Sequence, residues 1–130
     1  MKSRDGLYDF WDILDIENNL LPPGQVIKLW NDNLLDRMVK VDSASGIVTF
    51  ATASKTSDTL RVFIINKGYD VKSIQVTLPS LGFKTAQLWC FSGKDALDTC
   101  PILKYLQDIP VENNTVTLEL VPVSITMIVF

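Results

Sequence analysis

Histidine is absent from this chain of 130 residues. That removes the common Ser-His-Asp and Cys-His arrangements, because a hydroxyl or thiol nucleophile needs an adjacent base. Cysteine is scarce: Cys90 and Cys100 are the two present. Without histidine they are too few for a structural zinc site. They form a bridge if the strand holding Cys90 runs beside the Cys100 loop. Otherwise they stay free, since free cysteine packs well as a small hydrophobe. Basic clusters are missing too. Twelve basic residues stand against 15 acidic ones, for a net charge of −3, and no Lys/Arg stripe forms. Binding to a nucleic-acid or anionic membrane surface depends on such clustering, so neither is expected as a partner. No apolar run approaches the roughly 18 residues of a membrane span. The opening MKSRDGLYDFWDIL is interrupted by acids and is not a signal peptide. No phosphate loop or dinucleotide fingerprint occurs, and no cofactor is expected.

What the chain does have is strands. Hydrophobic residues make up 47 % and charged residues 21 %, an ordinary globular balance. A chain of this length buries roughly two-thirds of its unfolded surface, enough to fold without metal or disulfide. The C-terminal run from Thr115 to Phe130, TVTLELVPVSITMIVF, alternates on both sides of Pro122. Val116, Leu118 and Leu120 share one face. Val123, Ile125, Met127 and Val129 share another, with Ser124 and Thr126 opposite. Period-two alternation marks strands packed on a core through one face.

Upstream, Leu60–Asn66 is almost continuously apolar, as in a central strand buried on both faces. Further strands are expected at Met38–Asp42, Ile47–Ser54, Ser73–Leu78 and Lys84–Phe91. Ser92–Pro110 reads as a long connection with a helical turn around Asp95–Leu97, and Asn113-Asn114 as a turn. One helix is expected, from about Pro23 to Leu34. Proline suits its first turn, and Val26, Ile27, Trp30 and Leu34 follow helical spacing. Residues 1–21 form an irregular acidic and aromatic leader. The sum is an all-β fold, an antiparallel β-sandwich of about seven or eight strands with one N-terminal helix. Residues 1–36 form a leader and helix, and 37–130 the sandwich.

Candidate sites are few. Asp9, Asp12, Asp15 and Glu17 are the densest acidic cluster, but they lack the glycine of a calcium loop and read as a solvated segment. Tyr8, Phe10 and Trp11 offer flat rings for stacking on a sugar or for anchoring the leader to a neighbouring surface. Trp30 reads as a helix–sheet packing residue, and Trp89 as a core or inter-domain contact. Asn113-Asn114-Thr115 fits the glycosylation pattern but sits where a turn is expected.

Three segments in order resemble a known module: LRVFIINK at 60–67, IQVTLP at 74–79 followed by AQLWCF at 86–91, and Leu118–Phe130. Their order is similar to the C-terminal β-sandwich attached to TIM-barrel glycoside hydrolases of the arabinofuranosidase and β-xylosidase type, across roughly residues 37–130. Residues 5–36, with LLPPGQVIKLWNDNL, look like the closing loop and last helix of such a barrel. The resemblance implies a non-catalytic accessory domain whose partner is the TIM-barrel catalytic domain. In the resembled enzymes both catalytic glutamates lie on barrel strands before the matched region, and none of Glu17, Glu112 or Glu119 takes such a position. It also implies an exposed apolar docking patch that includes part of the Val26–Leu35 helix and could support a homodimer. Polysaccharide contact through Tyr8 and Trp11 and an extracellular or periplasmic location are further implications. The alternatives are a stand-alone carbohydrate-binding module and an interaction or adhesion sandwich without sugar chemistry. A complete small enzyme is the remaining reading.

Overall fold

The computed structural model describes residues 13–15, 17–95 and 97–130. One helix and eight strands occur among them: α1 (Pro22–Asn33), β1 (Arg37–Val39), β2 (Ile47–Ala53), β3 (Leu60–Asn66), β4 (Lys72–Thr77), β5 (Thr85–Ser92), β6 (Ile102–Pro110), β7 (Thr115–Leu120) and β8 (Ser124–Val129). Six strands form one antiparallel sheet in the order β1-β2-β3-β8-β5-β6, and β4 pairs with β7 in a second. The chain is therefore an all-β sandwich with an N-terminal helix, as its alternation predicts. Among the described residues, no helix is long and apolar enough to cross a membrane.

The large sheet is apolar on both faces at its centre. On one face, Ala51, Val62, Ile64, Leu88 and Ile128 pack against Val116, Leu118 and Leu120 of the small sheet. On the other, Phe63, Phe91, Ile125 and Met127 pack against Leu29 of α1, with Trp30 and Val26 partly buried beside them. Trp30 meets Phe50 and Phe63 edge-on, with ring centroids 5.1 and 5.3 Å away, and the two phenylalanines stack at 4.9 Å. Such pairs add about 0.5–1.5 kcal/mol each beyond the area they bury. Trp30 thus does the helix–sheet packing that its spacing suggests.

Polar contacts fix the layers. At the helix C-terminus, the Arg61 guanidinium donates to the Asn33 carbonyl (2.7 Å), and the Leu35 N–H donates to Thr52 Oγ1 (3.1 Å). At the other end, the buried Asn66 amide donates to the carbonyls of Asp70 (2.9 Å) and Val121 (3.0 Å) and accepts from Gly68 N–H (3.0 Å). It ties the β3–β4 turn to the β7–β8 turn. Gly24 allows the leader to close on the helix: a Cβ there would lie 2.7 Å from the Ile13 carbonyl oxygen.

Four sequence expectations change. Ile102–Pro110 is a strand, β6, and not connection; it pairs with β5 along a register broken by a bulge between Leu88 and Trp89. The last strand begins at Ser124. Val123 is exposed with φ +46° in the turn, its N–H bound to the Gly68 carbonyl (3.0 Å). That strand also lacks a solvent face, because Ser124 and Thr126 are both buried between the sheets. The first strand stops at Val39, short of Asp42. Cys90 is buried and Cys100 exposed, and both are free thiols. Asn113 and Asn114 adopt positive φ, which confirms the turn.

Phe63 touches no solvent and supports the helix side from the sheet's centre. Phe63→Ala should cost about 3–5 kcal/mol, measured as a lowered midpoint in urea unfolding. A loss under roughly 1 kcal/mol would mean that the helix does not pack on this ring.

Candidate functional site

The register lays out the helix-side face as a grid. Phe50, Phe63, Met127, Trp89 and Tyr105 form one row across β2, β3, β8, β5 and β6. On one side of that row run Arg61, Val129, Gln87 and Asp108, and on the other Ile65, Ile125, Phe91 and Leu103. Helix α1 covers the β2–β3–β8 columns through Trp30, Leu29 and Val26. Phe91 of β5 is buried in the same cluster, but Gln87 of β5 and Tyr105 and Asp108 of β6 are exposed. Tyr105 is 47 % exposed there.

This open half carries a mixed chemistry. The Trp89 and Tyr105 rings meet edge-on, centroids 5.5 Å apart. Trp89 Nε1 donates to Gln87 Oε1 (3.4 Å), and the Tyr105 hydroxyl donates to Asp108 Oδ1 (3.1 Å). Partial desolvation, and then the Asp108 carboxylate, push the Tyr105 phenol up, so it remains a neutral donor at physiological pH.

The face continues at one end into a groove of about 810 Å³. Its floor is Val26, Ile65, Phe91 and Ile125; its rim carries Pro23 on the helix and the loop after β5. That loop is folded by its acids. Asp98 accepts the N–H groups of Lys94 (2.8 Å) and Cys100 (2.8 Å), which hold its carboxyl below the usual range. Asp95 accepts from the Leu97 N–H (2.8 Å). Both carboxylates thus brace the loop.

The remaining acids are dispersed. Asp15 closes the turn before α1, accepting from the N–H groups of Glu17 and Asn19 (both 2.8 Å). Glu112 lies in the β6–β7 turn, bridged to Thr115, and Glu119 points outward from β7. Among the described residues, no group of three or more His, Cys, Asp or Glu side chains could hold a metal. Tyr8, Trp11, Phe10, Asp9 and Asp12 lie outside the described residues. The sequence points to Trp89 and Val26 but not to Tyr105, whose strand shows no clean alternation, nor to the groove, whose walls come from segments far apart in the chain. On α1 the exposed large apolar residue is Ile27, and Leu34 is exposed at the C-cap; Asn31 and a Lys28–Asp32 ion pair lie among them.

No family model matches the sequence, and no curated protein matches it. Solved structures do. An α-L-arabinofuranosidase from Thermotoga maritima, in an arabinose complex, matches with a TM-score of 0.71 at 16 % identity, over 85 % of this chain and 29 % of its own. A xyloglucanase of glycoside hydrolase family 44 from Paenibacillus polymyxa matches at 0.63 and 18 % identity, over 75 % of this chain and 19 % of its own. A bifunctional glucanase-xylanase from a metagenome library matches at 0.62 and 20 % identity, over 74 % and 18 %. The chain spans less than a third of the length of these hydrolases, and it shares the fold of a domain-sized part of them.

The Asp98 clamp gives a direct check on the groove rim. Asp98→Ala frees two N–H groups, so the Lys94 and Cys100 amides should exchange with solvent at least ~10-fold faster while β3 and β8 are unchanged. Unaltered exchange at both amides would show that the carboxylate does not shape the loop.

Proposed function

We propose that this chain is a non-catalytic accessory β-sandwich that supports a glycoside hydrolase catalytic barrel. One observation carries the reading: the fold match takes in most of this chain and under a third of the hydrolases it matches. On this reading residues 1–36 belong to the end of the barrel and 37–130 to the sandwich. The partner seats on the open β5–β6 half of the helix-side face and the adjoining groove. Bond cleavage belongs to that partner, since glycoside hydrolysis needs two carboxyl groups at fixed separation across a sugar ring. Tyr8 and Trp11 are the aromatic side chains this reading assigns to substrate contact.

Two outcomes follow for the pure protein. It should turn over aryl arabinofuranosides, xylosides and glucosides no faster than buffer. Sustained turnover that disappears in a single Asp or Glu variant would end the accessory reading. The open face should also drive concentration-dependent self-association in sedimentation, weakened by Tyr105→Lys with the unfolding midpoint kept. Equal association in both proteins would remove β5–β6 as the docking surface.

The Trp89–Tyr105 corner, with the Gln87 amide and Asp108 carboxylate around it, favours a second reading: direct saccharide contact. Flat rings cover the apolar face of a pyranose while amide and carboxylate meet its hydroxyls. Retardation in polysaccharide affinity gels that is lost in Tyr105→Ala would favour it, and no retardation of the parent protein would exclude it.

A further inference from the structure

The second layer of the sandwich is narrower than the first. Two strands face six. Val116, Leu118 and Leu120 of β7 are buried, but the inward residues of β4, Ile74 and Val76, are half-buried. Beside β4 lies a cavity of about 580 Å³. Its floor is Ile47 and Ala51 of β2 with Val62 and Ile64 of β3, and Val39 and Val41 wall it on the far side.

Among the described residues, the backbone of β4 borders this cavity with unused hydrogen-bonding groups. Leu78 donates its N–H to the Asn114 carbonyl at 2.8 Å. Antiparallel ladders alternate between pairs that exchange hydrogen bonds and pairs that do not. Stepping back along the register from Leu78 and Asn114, the residues Val76, Ile74 and Lys72 bond to β7. Ser73, Gln75 and Thr77 therefore turn their N–H and C=O groups to the free edge. Natural edge strands are usually guarded by proline, a bulge or outward charge. This one has none of them at its outward positions, where Ser73, Gln75 and Thr77 are exposed and uncharged. Lys72 sits at its start with its ammonium bound to the Gly46 carbonyl (2.9 Å).

We propose that the free edge of β4 is a docking site for one extended strand of another polypeptide, with apolar side chains at alternate positions. The strand pairs with Ser73, Gln75 and Thr77 and points its apolar residues into the cavity. Backbone hydrogen bonds supply affinity in this mode, and the alternate pockets supply selectivity. The site lies across the large sheet from α1 and is independent of the proposed barrel contact.

The test is amide exchange in the full chain, with the peptide acetyl-Lys-Val-Thr-Val-Thr-Val-Lys-amide as probe. In the free protein the Ser73, Gln75 and Thr77 amides should exchange rapidly and those of Ile74 and Val76 slowly. The peptide should slow the first three by at least ~10-fold. The same peptide with alternate backbone nitrogens methylated should not, and Gln75→Pro should abolish the effect, because proline is tolerated on a free edge but cannot donate. No slowing at millimolar peptide overturns the proposal, as does equal slowing by the methylated peptide. Protection in the free protein that grows with protein concentration would assign the edge to a second copy. Protection lost on removing residues 1–12 would assign it to the leader, and either result also overturns the proposal.

Discussion

Two-sided burial of β3 and β8 is the constraint on which the structure depends. Phe63, Ile64 and Ile128 on these neighbouring strands reach no solvent at all. A strand in that position must be covered above and below, because its apolar side chains alternate between the faces. The small sheet covers one side and α1 the other. The helix is thus part of the core, and the contacts from Arg61 to Asn33 and from Leu35 to Thr52 hold its C-terminal end in register with the sheet.

Neither cover is complete, and the two gaps differ in kind. On the helix side, no helix covers the outer part of β5 and β6 among the described residues, and the surface is made of side chains: Trp89, Tyr105, Gln87 and Asp108. Side-chain surfaces of this sort suit a folded partner or a sugar. On the opposite side the gap lies along a strand edge, and the surface is made of backbone groups over an apolar floor. That surface suits an extended chain. The solved structures that share this fold are hydrolases much longer than this chain.

Much of this was legible in the sequence, for reasons that differ by element. The limits of β3 at Leu60 and Asn66 follow from an apolar run bounded by turn residues. The helix was placed by Pro22-Pro23 and by the spacing of Val26 and Trp30. β6 was hidden because its side chains are exposed on both faces at the sheet edge, so no alternation remained to be read. Burial of Ser124 and Thr126 was hidden because their hydroxyls imitate solvent-facing residues; Ser124 resolves this by donating to the Val121 carbonyl at 2.7 Å. The Trp89–Tyr105 corner depends on β6 and so could not be assembled without it, while the groove joins α1, β3, β8 and the loop after β5, a juxtaposition set only by the tertiary fold. The family resemblance pointed to the right fold through the order of its segments, which no single motif carried.

The proposed accessory role requires a hydrolase barrel that carries the cleavage chemistry. Sequencing the DNA that flanks this coding region tests it most directly. The account predicts a glycoside hydrolase barrel of alternating strands and helices encoded upstream, in the same frame or in the adjoining gene. Flanking genes without any such barrel, beside a chain expressed and secreted alone, would contradict it.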